Sequence, residues 1–177
     1  MGLDYKNLDE RTRMLMLAEI KRDITEKTLY LSDNLSQRGQ LDYPDLLRAA
    51  ARGGNDVTLG AAILRGLNSH QAPRLLKSGK HSKPPVMRGD AHKTLSEGEF
   101  NRFYIRAICL RAIEDGIQDL VVYRAKAVEN PRSASEQMIG QRMPAKALLR
   151  DLRAHPGVDT ALGLPAGPNS GLCVRLP

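Results

Sequence analysis

The sequence has no tryptophan and few other aromatic residues, namely two phenylalanines and five tyrosines among 177 residues. Large aromatic side chains usually dominate the packing of a hydrophobic core, so their scarcity argues against one large, evenly packed domain. Glycine and proline, in contrast, number 15 and 10 and cluster in a few stretches. The composition therefore indicates a small globular body joined to long extended segments.

Cysteine is also scarce. Cys109 and Cys173 are too few and too far apart for a disulfide scaffold or a zinc site. We expect Cys109 to be a small core residue, because it lies in a strongly apolar stretch. For Cys173, near the end of the chain, we expect a free thiol, with a regulated or intersubunit disulfide as the alternative.

Long apolar runs are missing as well. None approaches the roughly 18 residues that a membrane span requires, and the first residues lack the basic and then apolar order of a signal peptide. From this pattern we expect a soluble, unexported protein without a membrane partner.

The common catalytic motifs are absent from the sequence. It contains no P-loop, no G-x-S-x-G, no H-E-x-x-H and no C-x-x-C. We therefore predict a protein that is not an enzyme and that has no catalytic residues, no metal site and no cofactor. One alternative stays open, in which Arg124, Lys126 and Arg132 hold a phosphate, although such cations are more often surface or interface charges.

Residues 1–64 show the pattern of an N-terminal helical region. A capping box at Asn7 and Glu10 predicts the start of an amphipathic helix. A second helix is predicted to begin at Pro44, because the first helical position does not need an N–H group. Asn55 is the predicted cap of a third helix, which forms a helical hairpin with the second.

Two interpretations of this hairpin are open. It could be a DNA-reading helix-turn-helix or a hairpin that packs inside the body. Gly60 lies where a reading helix would place an aliphatic core residue, and the third helix offers no Arg, Lys or Gln to base edges before Arg65. Both features favour the packing hairpin.

Residues 65–95 are predicted to be a basic linker rich in proline and glycine. Within this stretch, residues 65–93 contain seven Lys and Arg residues and only one acidic residue, Asp90. The segment therefore carries nearly all of the net charge of +7. Phosphate groups of nucleic acid are the natural partner for such a segment. The candidate contacts are Arg74, Lys77, Lys80, Lys83 and Arg88.

Residues 96–156 are predicted to form the central body, a helix followed by a strand and a last helix. The first helix should begin at a capping box formed by Ser96 and Glu99 and end at Gly116. The strand at residues 120–123 needs a partner, for which residues 28–31, residues 172–176 and another subunit are all open. Pro144 should open the last helix.

The central helix has apolar residues on two opposite sides. The second side combines Arg102, Ile105 and Arg106 with Cys109 and Ile113. Arginine among apolar residues is typical both of internal ion pairs and of subunit interfaces, and both interpretations are open. We treat Arg102, Ile105 and Arg106 as candidate interface residues, because this second side exceeds what so small and aromatic-poor a body can cover.

Residues 157–177 are predicted to form an extended C-terminal arm. Apolar residues are spaced along it between glycines and prolines, an arrangement typical of a docking segment. The candidate interface residues in this arm are Leu162, Leu164, Leu172, Val174 and Leu176.

Three stretches, GEFNRFYIRAICLRAIEDG (98–116), VVYRAKAVENPRSASEQMIG (121–140) and GPNSGLCVRLP (167–177), resemble small proteins of phage and prophage origin. The resemblance implies a role in virion structure, as a capsid cement protein or a head-to-tail connector subunit. The implied partners are copies of the chain itself and a major capsid or portal/connector protein. The implied location is the virion, after synthesis in the bacterial cytoplasm.

Together these observations predict a mainly α fold with a minor β element and long extended segments. The predicted function is that of a structural subunit of a bacteriophage particle, stabilising an assembly through its arms. The alternative is a nucleic-acid-binding protein that uses the basic segment and contacts packaged DNA.

Overall fold

The computed structural model describes residues 2–73, 75–157 and 171–177. It confirms the predicted fold class, because helices predominate and a small antiparallel sheet accompanies them. The helices are α1 (Glu10–Thr25), α2 (Gln37–Gly53), α3 (Asp56–Ile63), α4 (Ala91–Glu114), α5 (Ser133–Gln137) and α6 (Ala145–Ala154), and the strands are β1 (Asp119–Arg124), β2 (Arg142–Pro144) and β3 (Leu172–Arg175).

Helix α4 is the centre of the body. α1, α3 and α6 all pack along it, and β3 contacts it as well. Its core residues are Phe100, Phe103, Tyr104, Ile105, Ala107, Ile108, Cys109 and Ala112. Cys109 is fully buried, as predicted. A helix that is apolar on most sides is thus covered on most sides by the rest of the chain.

The predicted start of α4 is wrong, whereas its predicted end is confirmed. The helix begins at Ala91, inside the predicted linker, and Ser96 lies within it. The Oγ of Ser96 donates to the carbonyl oxygen of Lys93 at 3.1 Å, and Ser96 and Glu99 are both buried, so they do not form a capping box. At the other end, Gly116 adopts a φ of +72°, which favours glycine and ends the helix.

The starts of α1 and α2 also differ from the predictions. Asp9, not Asn7, caps α1, since its Oδ1 accepts from the backbone N–H of Thr12 at 3.0 Å. Helix α2 begins at Gln37 after the cap residue Ser36, so that Pro44 lies inside it. A proline there removes one helical hydrogen bond, and burial of the flanking residues Tyr43 and Leu47 offsets this loss.

Helix α3 begins at the predicted cap. The Asn55 side chain accepts from the backbone of Val57 and Thr58, while Thr58 Oγ1 accepts from the backbone of Asn55. Gly60 faces α4, where an added Cβ would lie 2.8 Å from Ser96 Oγ. The glycine that argued against a reading helix therefore permits close packing of α3 on α4.

The sheet has the order β2-β1-β3, and both pairings are antiparallel. Val122 of β1 is opposite Val174 of β3, and Leu120 is opposite Met143 of β2. Of the three partners considered for β1, the C-terminal residues are confirmed. Residues 28–31 are not in a strand.

Burial of the C-terminal residues corrects part of the docking-arm prediction. Leu172 and Val174 are buried in the body, and Leu176 is half-buried with its N–H donating to Asn7 Oδ1 at 3.1 Å. These residues belong to the core because β1 offers them a strand edge and α4 an apolar surface. Leu162 and Leu164 lie outside the described residues.

Two features of the described ranges complete the fold. The last helix follows Pro144, as predicted. Among the described helices, none combines the length and hydrophobicity of a membrane crossing. The division of the chain at residues 64, 95 and 156 stays a prediction.

Candidate functional site

Most of the basic segment forms a hairpin, which we call the arm (the described residues 68–73 and 75–88). Its two sides are joined by backbone hydrogen bonds of 2.8 Å from Gln71 N–H to Pro85 and from Met87 N–H to Ser69. A turn closes it, with Gly79 N–H donating to the carbonyl of Leu76 at 2.9 Å. The predicted linker is thus a local structure held by its own backbone.

The base of the arm is attached to the segment before α2. The Asn68 side chain donates to the carbonyl oxygens of Asp33 at 3.0 Å and Leu35 at 3.1 Å. Beside it, an added Cβ on Gly39 would lie 2.2 Å from the carbonyl oxygen of Gly66. Only glycine at position 39 allows α2 to approach Gly66 so closely, and this contact positions the chain two residues before the arm.

The arm exposes apolar side chains. Leu75 is 69% exposed, Leu76 is 47% exposed and Val86 is 73% exposed. Single exposed apolar residues are ordinary on protein surfaces, but three on one short hairpin are a feature of contact surfaces. Because these side chains are largely outside the core, they add little to the stability of the fold. Stability therefore does not account for apolar residues at these three positions.

The arm also concentrates positive charge. All three lysines of the described part, Lys77, Lys80 and Lys83, are exposed. None of them has a carboxylate partner among the residues that the structure describes. Arg88 differs, since its guanidinium binds the carboxylate of Asp90 at 2.6 Å. Arg74, the remaining candidate, lies outside the described residues. Three candidate nucleic-acid contacts are therefore available to an anionic partner.

A buried ion network covers the second side of α4. The Arg106 guanidinium makes two hydrogen bonds to Asp23, of 2.6 and 2.7 Å, and a third of 2.7 Å to Glu19. Arg153 of α6 completes the network with hydrogen bonds of 2.5 and 3.0 Å to Glu19. Arg106 is only 1% exposed, and its guanidinium carbon lies 4.8 Å from the centre of the Phe103 ring.

The charges in this network balance one another. Burial opposes ionisation of Glu19, but hydrogen bonds and charges from Arg153 and Arg106 outweigh it and hold the pKa of Glu19 below its ordinary value. Burial likewise opposes the charge on Arg106, yet the carboxylates of Asp23 and Glu19 raise its pKa. Both shifts favour the charged forms of Glu19 and Arg106.

Arg102 has a different role at the end of α6. Its Nη1 donates to the carbonyl oxygens of Leu152 at 3.5 Å and His155 at 2.8 Å, where the helix end carries partial negative charge. Glu99 Oε1 lies 3.5 Å from the Nε of Arg102, and burial raises the pKa of Glu99.

These contacts correct the interface prediction for the second side of α4. Arg102, Ile105 and Arg106 are all buried by this chain's own elements. Of the two interpretations considered, the structure supports internal ion pairs. The acidic partners of Arg106 come from α1, so the small body covers this side after all.

Cys173 is a buried core thiol. Its Sγ donates to Asn101 Oδ1 at 2.9 Å, and the Asn101 amide donates in turn to the carbonyl of Leu172 at 2.9 Å. Burial raises the pKa of Cys173 to about 12. A buried, protonated thiol is a poor nucleophile, so the structure disfavours the disulfide alternative.

The open phosphate alternative finds little support. Lys126 binds the carboxylate of Glu97 at 2.5 Å, and Arg124 donates to Ser135 Oγ at 3.4 Å. Two of its three cations thus have partners within the chain.

In comparisons with known proteins, no family model, no curated protein sequence and no solved structure matches the chain.

Proposed function

We propose that this chain is a structural subunit of a bacteriophage particle and that it binds neighbouring subunits through the arm. The observation that carries the proposal is the exposure of Leu75, Leu76 and Val86 on a hairpin whose base is held to the body by Asn68. The proposal that the assembly is a phage particle rests on the resemblance of the sequence to small phage and prophage proteins. Leu172 and Val174, which were predicted to belong to a docking arm, lie in the core instead.

The free energy available from burying these three side chains is suited to a contact that is repeated many times in an assembly. Burial of one Leu or Val side chain contributes about 1.5–3 kcal/mol, so three give roughly 5–9 kcal/mol before the entropy loss of association is subtracted. A single contact of this size is weak to moderate. Many copies in a closed particle would add their contacts through avidity. A capsid cement protein or connector subunit uses contacts of this kind, with copies of itself or with a capsid or portal protein.

The first test concerns binding between copies of the chain. We expect the full chain to increase in mass with concentration, and the variant L75S/L76S/V86S to stay monomeric over the same range. Light scattering after size-exclusion chromatography measures both. The change should not unfold the body, because all three side chains are exposed.

A matched control uses exposed apolar residues of the body. M14S/L41S removes side chains that are 58% and 70% exposed but lie on α1 and α2. This variant should associate like the unmodified chain. If the unmodified chain is monomeric at every concentration, or if the control loses association equally, the arm does not join copies of this protein.

A second candidate function, binding of packaged DNA, is favoured by one observation. Lys77, Lys80 and Lys83 are without carboxylate partners within the described ranges, and Asp90 is the only acidic residue in the sequence between positions 65 and 93. Each lysine that contacts a phosphate releases counterions, so binding to duplex DNA would weaken steeply with salt.

The expected result is a change in this salt dependence. In K77Q/K80Q/K83Q, the slope of log affinity against log salt should fall by roughly 0.9 for each lysine that contacts a phosphate. Fluorescence anisotropy with a labelled duplex measures the slope. K21Q/K27Q/R52Q removes the same charge from exposed positions of the body and should alter the slope less. Equal slopes in both variants would contradict a specific role of the arm.

A further inference from the structure

A basic groove lies where α6 meets the ends of α1 and α4, far along the chain from the arm. It is a shallow depression open to solvent, with a volume of about 590 Å³. Arg22 comes from α1 and Ile113 from α4, while α6 supplies most of the other lining residues, among them Lys146, Leu149, Arg150 and Arg153. None of the described lining residues is acidic.

Two of the groove's cations are held in place by carboxylates. Arg153 binds Glu19 through two hydrogen bonds, as described above, and Arg22 binds Glu26 one turn further along α1 at 2.8 Å. These contacts use part of each guanidinium and orient the remainder. An arginine ordered in this way loses less conformational entropy when it binds a ligand.

The other two cations are available to a ligand. Lys146 and Arg150 are exposed and lie one turn apart on the same side of α6. Within residues 2–73, 75–157 and 171–177, neither has a carboxylate partner. The groove therefore has an excess of about two positive charges that this part of the chain does not neutralise.

The floor of the groove is apolar. Leu149 is buried and Ile113 half-buried beneath the four cations. A small inorganic anion would contact the cations alone. An anion attached to an apolar or flat organic group would also cover the floor, and guanidinium groups both bind phosphate through two donors and stack on flat rings.

We propose that this groove binds a phosphate ester of nucleotide size. Lys146 and Arg150 contact the phosphate, Arg22 and Arg153 complete the positive rim, and Ile113 with Leu149 contacts the organic part. The proposal is independent of the function proposed for the arm, since the two sites have no residue in common. The same phosphate chemistry is available from a free nucleotide or from a nucleic acid strand.

The test measures binding of ATP, inorganic phosphate and a short single-stranded oligonucleotide to the full chain by isothermal titration calorimetry. We expect ATP to bind at least tenfold more weakly to K146Q/R150Q than to the unmodified chain. R52Q/K93Q, which removes the same charge from exposed positions on α2 and α4, should leave ATP binding unchanged. Both pairs of residues are exposed, so the variants should fold, and circular dichroism confirms this before titration.

Two further measurements make the result decisive. I113S should weaken ATP binding more than phosphate binding, because only ATP reaches the apolar floor. In K77Q/K80Q/K83Q, which lacks the arm's candidate phosphate contacts, tighter binding of ATP than of the oligonucleotide, per site, identifies a free nucleotide as the groove's ligand, and the reverse order identifies a nucleic acid strand. The proposal is overturned if neither binds at millimolar concentration, if R52Q/K93Q loses as much affinity as K146Q/R150Q, or if inorganic phosphate binds as well as ATP.

Discussion

Replacing Arg106 by methionine should lower the free energy of unfolding by about 3–5 kcal/mol, the usual effect of removing one partner from a buried ion pair. Methionine is of similar length and fills most of the space. It leaves Asp23 buried without the two hydrogen bonds that it receives from the guanidinium. Glu19 keeps Arg153, so the unpaired charge on Asp23 is the main source of the loss.

Urea unfolding at neutral pH, followed by circular dichroism, measures this effect. Arg11 provides a matched control, because it binds Glu114 and Asp115 on the surface rather than in the core. R11Q should cost no more than about 1 kcal/mol. Adding D23N to R106M should recover part of the stability, since the buried charge is then removed. A loss below 1 kcal/mol in R106M would show that the network adds little to stability.

Removing residues 171–177 should abolish cooperative folding. Burial of Leu172 and Val174 alone contributes about 1.5–3 kcal/mol each, while a typical domain has a total stability of about 5–15 kcal/mol. The truncation also removes the strand that pairs with β1 along Val121–Arg124. β1 would then have only the short strand β2 beside it, and its free edge would favour aggregation.

Thermal unfolding and the solubility of the purified protein measure this effect. The control is removal of Pro177 alone, which is exposed and should leave the unfolding temperature unchanged. A truncated chain that unfolds sharply, at a temperature close to that of the full chain, would show that the body does not need β3 to fold. The outcome therefore decides whether these residues belong to the core or to a detachable arm.

Features with a local cause were predictable from the sequence. Gly116 ends α4 because few other residues adopt its φ of +72°, and Asn55 caps α3 because its short side chain reaches the first free N–H groups. Pro144 marks the start of α6 for a similarly local reason. The class of fold follows from such signals, since they mark the helices and the single strong strand.

Features that depend on distant residues were not predictable in this way. The carboxylates that bind Arg106 lie 83 and 87 residues away, and no periodic pattern connects them with α4. The second side of that helix therefore had the composition of an interface. Leu172 and Val174 were predicted to be interface residues, although residues 172–176 were also one of the three partners open to β1. A four-residue strand among glycines and prolines does not by itself indicate which partner it pairs with.

The two candidate sites also differ in whether their residues are close together or far apart in the sequence. The arm was evident as a basic segment, because its charges are close together in the sequence, although its hairpin form was not predicted. The groove was missed, because Arg22 and Arg150 come from opposite ends of the chain. The one available signal was the spacing of Lys146, Arg150 and Arg153 along α6, which resembles an ordinary solvated helix surface.

The buried ion network also bears on how the chain folds. Glu19 binds Arg106 from 87 residues away and Arg153 from 134 residues away, so three helices must meet before its charge is fully compensated. An intermediate that docked α1 on α4 without α6 would lack part of that compensation, and one without α4 would bury Asp23 unpaired. Such intermediates are high in free energy, so the network favours all-or-none folding of the three helices.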